Sequence, residues 1–240
     1  MLAIDTSNMD FLELGKRLRE TEDDTVLQGC LGQRFIAAGM KRRKLEIHGI
    51  PGNALGAYLD GADIEVFGNA QDAVGDTMNA GSIVIHGSIG DTAGYAMRGG
   101  EIYVEGDAGY RAGIHMKEYR EHLPVLVIGG KAGSFLGEYQ AGGMIIVLGL
   151  HTDGPIVSNY PCTGMHGGKL FLRSDCKDIL FPDQVTARPA SAEDLKEIEP
   201  YLRRYCIHFG GDYASLIGSP FTVVTPDSRN PYRQMYVANE

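Results

Sequence analysis

Branched aliphatic residues recur in pairs along the middle of the chain, the two members separated by one residue. The pairs are Leu45 and Ile47, Ile64 and Val66, Ile83 and Ile85, Ile102 and Val104, Leu126 and Ile128, and Ile145 and Val147. Their neighbours are mixed: Glu46 and His48, Glu65 and Phe67, Val84 and His86, Tyr103 and Glu105. Apolar positions of period two, with a variable opposite face, mark short strands that bury one side. Each pair is followed two residues later by a glycine, at positions 49, 68, 87, 106, 130 and 149, so the steps are 19, 19, 19, 24 and 19 residues. One insertion of five residues within 114–124 accounts for the exception.

The marker glycines head a G-x-x-G-x-x-x-G pattern. It reads Gly49, Gly52 and Gly56; Gly87, Gly90 and Gly94; Gly106, Gly109 and Gly113; Gly130, Gly133 and Gly137. A degenerate copy keeps Gly68 and Gly75, with Gln71 in the middle slot. Small pairs such as Gly61-Ala62, Ala80-Gly81, Gly99-Gly100 and Gly142-Gly143 precede the next strand and predict a second tight corner. One strand and two corners per 19 residues make a rung, and a rung buries its apolar face only against neighbours about 4.8 Å away. Weaker copies at Gly29 and Gly32 upstream, and at Gly167-Gly168, Leu170 and Leu172 downstream, extend the stack. The expectation is an all-β parallel β-helix of about 7–8 rungs over residues 25–180.

The termini are expected to cap this solenoid, whose ends would otherwise expose an apolar cross-section. Residues 9–22 read as an amphipathic helix with Phe11, Leu14 and Leu18 on one face and Ser7 or Asn8 as N-cap, giving an N-terminal cap over 1–24. Residues 191–205 open with a capping-box-like Ser191-Ala192-Glu193-Asp194 and carry Leu195, Ile198 and Leu202 as a stripe, with Pro200 expected to kink or divide the helix. This helix and an extended arm make up 181–240. The arm has a strand-like run at Phe221-Thr222-Val223-Val224 and aromatics at Tyr232 and Tyr236.

Composition narrows the function. The 240 residues carry a formal net charge of −9, a poor match to nucleic acid, which calls for a basic stripe. The one basic cluster, Lys41, Arg42, Arg43 and Lys44, reads as a solvated turn. No run of 18 apolar residues and no secretory leader stands out, so a cytoplasmic location is expected, with four free thiols (Cys30, Cys162, Cys176, Cys206).

Candidate chemistry is sparse. The 33 glycines do not form a phosphate cradle, because no helical pattern follows the turns and no Walker lysine-serine pair is present. Asp72 and Asp91 share a slot with Asn53 and Tyr110, a polar ladder rather than an ion ladder. His48 and His86 lie two rungs apart, too far to share a metal at about 9–10 Å. His151, Cys162, His166 and Cys176 form the densest metal-capable group, without a recognised ligand spacing. A hydrolase nucleophile motif is missing. The inserted loop 115–123, with Lys117, Tyr119 and Arg120, is the candidate partner contact. No catalytic, cofactor-binding or metal-binding residue is expected.

The rungs resemble the glycine-repeat domain at the C-terminal end of the glutamate synthase large subunit. GGEIYVEGDAGYRAG, AGGMIIVLG and CTGMHGGKLFLR carry the likeness, which spans about residues 25–173. The resemblance implies a right-handed parallel β-helix without catalytic residues, standing between a glutaminase domain and a domain with flavin and an iron–sulfur cluster. The module is also similar to one of the subunits of formylmethanofuran dehydrogenase and to a subunit of N-methylglutamate synthase systems. It therefore implies a scaffold subunit of a glutamate synthase-like complex, with FMN and iron–sulfur groups on glutaminase-like and flavin subunits. A formyl-transfer dehydrogenase is the alternative complex.

Overall fold

In the computed structural model, which describes residues 1–228, nine parallel strands stack in sequence order. They are β1 (Leu2–Asp5), β2 (Thr25–Leu31), β3 (Lys44–Ile50), β4 (Asp60–Phe67), β5 (Ala80–Ile85), β6 (Glu101–Val104), β7 (Val125–Ile128), β8 (Ala141–Val147) and β9 (Gly167–Leu172). The register is the one the repeat predicts. Leu45 pairs with Ile64, Ile64 with Ile83, Ile83 with Ile102, Ile102 with Leu126, Leu126 with Ile145 and Ile145 with Leu170. The molecule is an all-β parallel solenoid of about eight turns.

Both irregular steps have a local cause. The 20-residue step from the first weak rung is absorbed by a bulge in β2 between Leu27 and Cys30, so that Cys30 pairs with Gly49. The 24-residue step loops out between Met116 and Val125, inside the expected interval, because Met116 keeps the 19-residue spacing from Met97 while Val125 pairs with Glu101.

Three further inner columns escaped the strand pattern. Ala70, Ile89, Ala108, Ala132 and Val157 form a second run of parallel bridges just past the first corner. Leu55, Val74, Ala93, Ala112 and Leu136 follow, then Leu59, Met78, Met97 and Met116, all buried. With the strand ladders these fill the lumen, and each large side chain so buried contributes about 1.5–3 kcal/mol.

The N-terminus begins with a strand as well as a helix. β1 adds a rung to β2, with Leu2 opposite Thr25 and Ile4 opposite Leu27, so the solenoid starts inside the expected cap region. Helix α1 (Phe11–Arg19) follows; Asp10, rather than Ser7 or Asn8, is its N-cap, accepting from the Leu12 and Glu13 N–H groups. Leu14 and Leu18 are buried in the lumen core. Arg43 departs from the expected solvated turn: it is buried, and its guanidinium donates to the Leu18 carbonyl at 2.9 Å and to the Thr21 carbonyl. A cation there complements the negative end of α1.

The long C-terminal helix α2 (Ala192–Phe209) lies along the flank rather than over an end. Its Ile198, Leu202 and Tyr205 pack against Val84, Tyr103, Val127, Ile146 and Phe171, one outward residue from each of five successive strands. That outward row is continuously apolar from β5 onward; in β3 and β4 the slot holds Glu46 and Glu65. The capping box at Ser191 and Asp194 forms as read, but α2 runs unbroken through Pro200. Flank packing on both sides of the proline holds the helix together. A short helix, α3 (Tyr213–Ile217), then leads to β11 (Thr222–Pro226), inserted antiparallel between β9 and β10 (Val185–Pro189). The expected strand at Phe221–Val224 is therefore present, shifted by one residue, and with β10 closes the sheet. Tyr232 and Tyr236 lie outside the described residues.

Candidate interaction surfaces

The glycines serve two different needs. Gly56, Gly94, Gly113 and Gly137 are left-handed, with φ between +65° and +71°, and Gly49 has φ +125°. Gly52, Gly87, Gly90, Gly106, Gly109, Gly130 and Gly133 are not, yet a Cβ on any of them would collide with the preceding rung. At Gly90 it would strike the Asp72 carboxylate. Close stacking, rather than an unusual φ, excludes a side chain at these seven.

The polar ladder has a defined task. Asn53 Oδ1 accepts the Asp72 N–H at 3.3 Å, Asp72 Oδ1 the Asp91 N–H at 2.9 Å, and Asp91 Oδ1 the Tyr110 N–H at 2.8 Å. A second series runs from Asn69 to the Ser88 N–H, from Ser88 to the Asp107 N–H and from Asp107 to the Lys131 N–H. At the corners, where strand pairing lapses, side chains of one rung thus bind the backbone donors of the next.

Sequence candidates for chemistry do not converge. Phe67 is stacked between His48 and His86, with centroids 5.0 and 4.7 Å apart, while Glu46 and Glu65 hold the two imidazoles at 2.5 and 2.9 Å. Cys162 and Cys176 are buried, whereas His151 is exposed and His166 half-buried. Burial pushes the Cys162 thiol far above its ordinary pKa. Among the described residues no three His, Cys, Asp or Glu side chains gather as a metal site. Lys117, Tyr119 and Arg120 are all exposed on the inserted loop, where Tyr119 bridges to His122 and the Arg120 guanidinium sits 5.1 Å from the Tyr119 ring.

A groove of about 420 Å³ runs beside the end of α2, over the part of the sheet that the helix leaves bare. Its polar lining includes Glu46, Glu65, Glu101, Arg204 and His208. Glu101 accepts from Tyr103 Oη and from Arg204 Nη1, both at 2.6 Å. Burial holds His208 below its usual pKa against the pull of Glu65 and Glu101. The carboxylates of Glu46, Glu65 and Glu101 are thus each engaged within the chain, which suits a contact surface better than a reaction centre.

The model of the GXGXG motif family matches residues 19–227. The chain belongs to the GXGXG family. An uncharacterized protein of Methanocaldococcus jannaschii, MJ1350, is 42% identical over 250 residues, covering 98% of this chain and 96% of that protein. Among solved structures, a chain of the formyltransferase/hydrolase complex FhcABCD from Methylorubrum extorquens, in complex with methylofuran, matches with TM-score 0.55 and 22% identity over 92% of this chain and 89% of that one. At that identity the likeness concerns the fold.

Two features of this GXGXG chain were hidden in its sequence. Non-glycine residues flank the third glycine of each rung in the left-handed region, for example Thr92 and Ala96 around Gly94 (φ +57° and +49°). They alternate donors between rungs: Thr92 N–H bonds the Tyr110 carbonyl, and Gly94 N–H the Val74 carbonyl. The second is the sheathing of the flank by α2. The signal for it was the change of the outward slot from Glu46 and Glu65 to Val84, Tyr103, Val127 and Ile146. No helix among the described residues is long and apolar enough to cross a membrane.

Proposed function

We propose that this chain is a docking subunit without chemistry of its own, holding the catalytic subunits of a larger enzyme in place. The observation that carries this reading is the use of its polar side chains. Asn, Asp and Ser at the corners bind backbone of the next rung, and Glu46, Glu65 and Glu101 are engaged by internal partners. Membership of the GXGXG family and likeness to a chain of a multi-subunit complex support the assembly role. The glutamate synthase-like stretches favour glutaminase-like and FMN/iron–sulfur subunits as partners, with those cofactors on the partners. A second reading, a formyl-transfer dehydrogenase of the formylmethanofuran type, draws support from the formyltransferase/hydrolase neighbour.

Purification of the tagged chain from its source distinguishes these readings. Stoichiometric recovery with a glutaminase and a flavoprotein supports the first, and recovery with a pterin-binding subunit supports the second. Glutamine- or 2-oxoglutarate-dependent turnover by the isolated chain would sink the docking role altogether.

A further inference from the structure

A second outward-facing region lies on the turn side of the later rungs and shares no lining residue with the α2 groove. Tyr110, Phe135 and Tyr160 come from three successive rungs with centroids 5.3 and 5.2 Å apart. The stripe ends at a hollow of about 590 Å³ lined by Tyr160, Leu180, Asp153, Asp178 and Lys131. Tyr160 is 64% exposed, and Leu180, at 88%, is the most exposed large apolar side chain among the described residues. Leu180 does not hang on a loose loop: its neighbours Ile179 and Phe181 both pack against the lumen core. The protein thus holds a leucine outward between two anchors. Apolar surface presented so rigidly, rimmed by charge, is the composition of a contact hot spot.

Charge selects the occupant. Asp153 and Asp178 face the hollow and Asp107 lies just beyond Asp153, against Lys131 on the same side; Arg111, over the Tyr110 and Phe135 rings, has its charge met by Glu138 at 2.6 Å. From this we infer that the hollow and the Tyr110–Phe135–Tyr160 stripe dock a segment of a partner subunit, one with an aliphatic or aromatic anchor flanked by lysine or arginine. The inference rests on the docking role proposed above and adds the face that performs it. The anchor fills the hollow against Tyr160 and Leu180, and the flanking cations meet Asp153 and Asp178.

Site-specific photo-crosslinking in the complex purified from the source tests this. A benzoylphenylalanine is placed at Leu180, at Tyr160, or at Tyr58, an exposed tyrosine of an early rung, in the full tagged chain. Crosslinks from positions 180 and 160 to a partner peptide with an apolar residue beside lysine or arginine support the inference. So does an about tenfold fall in partner recovery with Leu180→Asp at unchanged melting temperature, with a smaller fall for Asp153→Lys. Crosslinks from position 58 alone, a crosslink to a second copy of this chain, or full recovery with Leu180→Asp overturns it while leaving the docking role standing. A wild-type chain that purifies alone overturns both.

Discussion

Gly90 and Gly94 sit four residues apart in one rung and are needed for opposite reasons. Gly90 has no room: a Cβ would enter the Asp72 carboxylate, which already accepts the Asp91 N–H. Gly94 has room, with its nearest Cβ neighbours at 3.7–3.8 Å, but its φ is +67°. Gly90→Ala should therefore cost about 1–3 kcal/mol through overpacking, and Gly94→Ala only about 1 kcal/mol through left-handed strain. Urea unfolding of the two variants checks the order, and a reversed order would refute the assignment. The thiols give a second residue-scale expectation. Cys30 is buried and its pKa is pushed up to about 11, Cys162 is fully enclosed, and Cys206 is half-buried. Ellman's reagent at pH 8 should label Cys206 first and reach Cys30 and Cys162 only on unfolding, because the thiolate is the reactive form. Prompt native labelling of Cys30 would contradict this.

At the scale of elements, α2 depends on contacts at both of its ends. At its start, Asp194 accepts from Arg188 at 2.7 and 3.0 Å and from the Ser191 N–H and Oγ. These bonds, the Arg188 guanidinium foremost, hold its carboxyl well below the usual carboxylate range. A carboxyl depressed on folding stabilises the fold above its unfolded value near pH 4, and that contribution drains away as the pH falls below it. Limited proteolysis of α2 should accelerate below about pH 4, and Asp194→Asn should flatten that dependence. Near its other end, the Tyr205 hydroxyl lies over Gly129 and reaches the Glu105 carbonyl at 3.3 Å. Gly129→Ala places a methyl on that hydroxyl, so it should expose α2 to protease at neutral pH and lower the melting temperature. An unchanged cleavage rate would show that the helix does not depend on this approach.

At the scale of the molecule, the nearest-neighbour stacking of rungs sets cooperativity. Ile83 lies mid-stack between Ile64 and Ile102 and is fully buried, so Ile83→Ala should cost about 2–5 kcal/mol. Leu2, half-buried in the end strand β1, has a rung on one side only, and Leu2→Ala should cost less than half as much. Denaturant melts followed by tyrosine signals, the chain having no tryptophan, compare the two. Equal losses would mean that the stack does not unfold from its ends.

The repeat and the strand register were legible without coordinates because they are local rules repeated. A 19-residue period, a pair of aliphatics and a glycine leave one way to stack Leu45, Ile64, Ile83 and Ile102. Contacts between residues distant in the chain were not legible in this way. The placing of α2 on the flank needed the outward faces of five strands to be aligned, and only stacking brings Val84 and Phe171 under one helix. Arg43 looked like one cation among four until the fold brought the end of α1 above it. The docking hollow likewise unites Lys131, Tyr160 and Leu180, which no periodicity links. A solenoid writes its interior into its sequence because every rung repeats the same burial, whereas its flanks and ends are each built once.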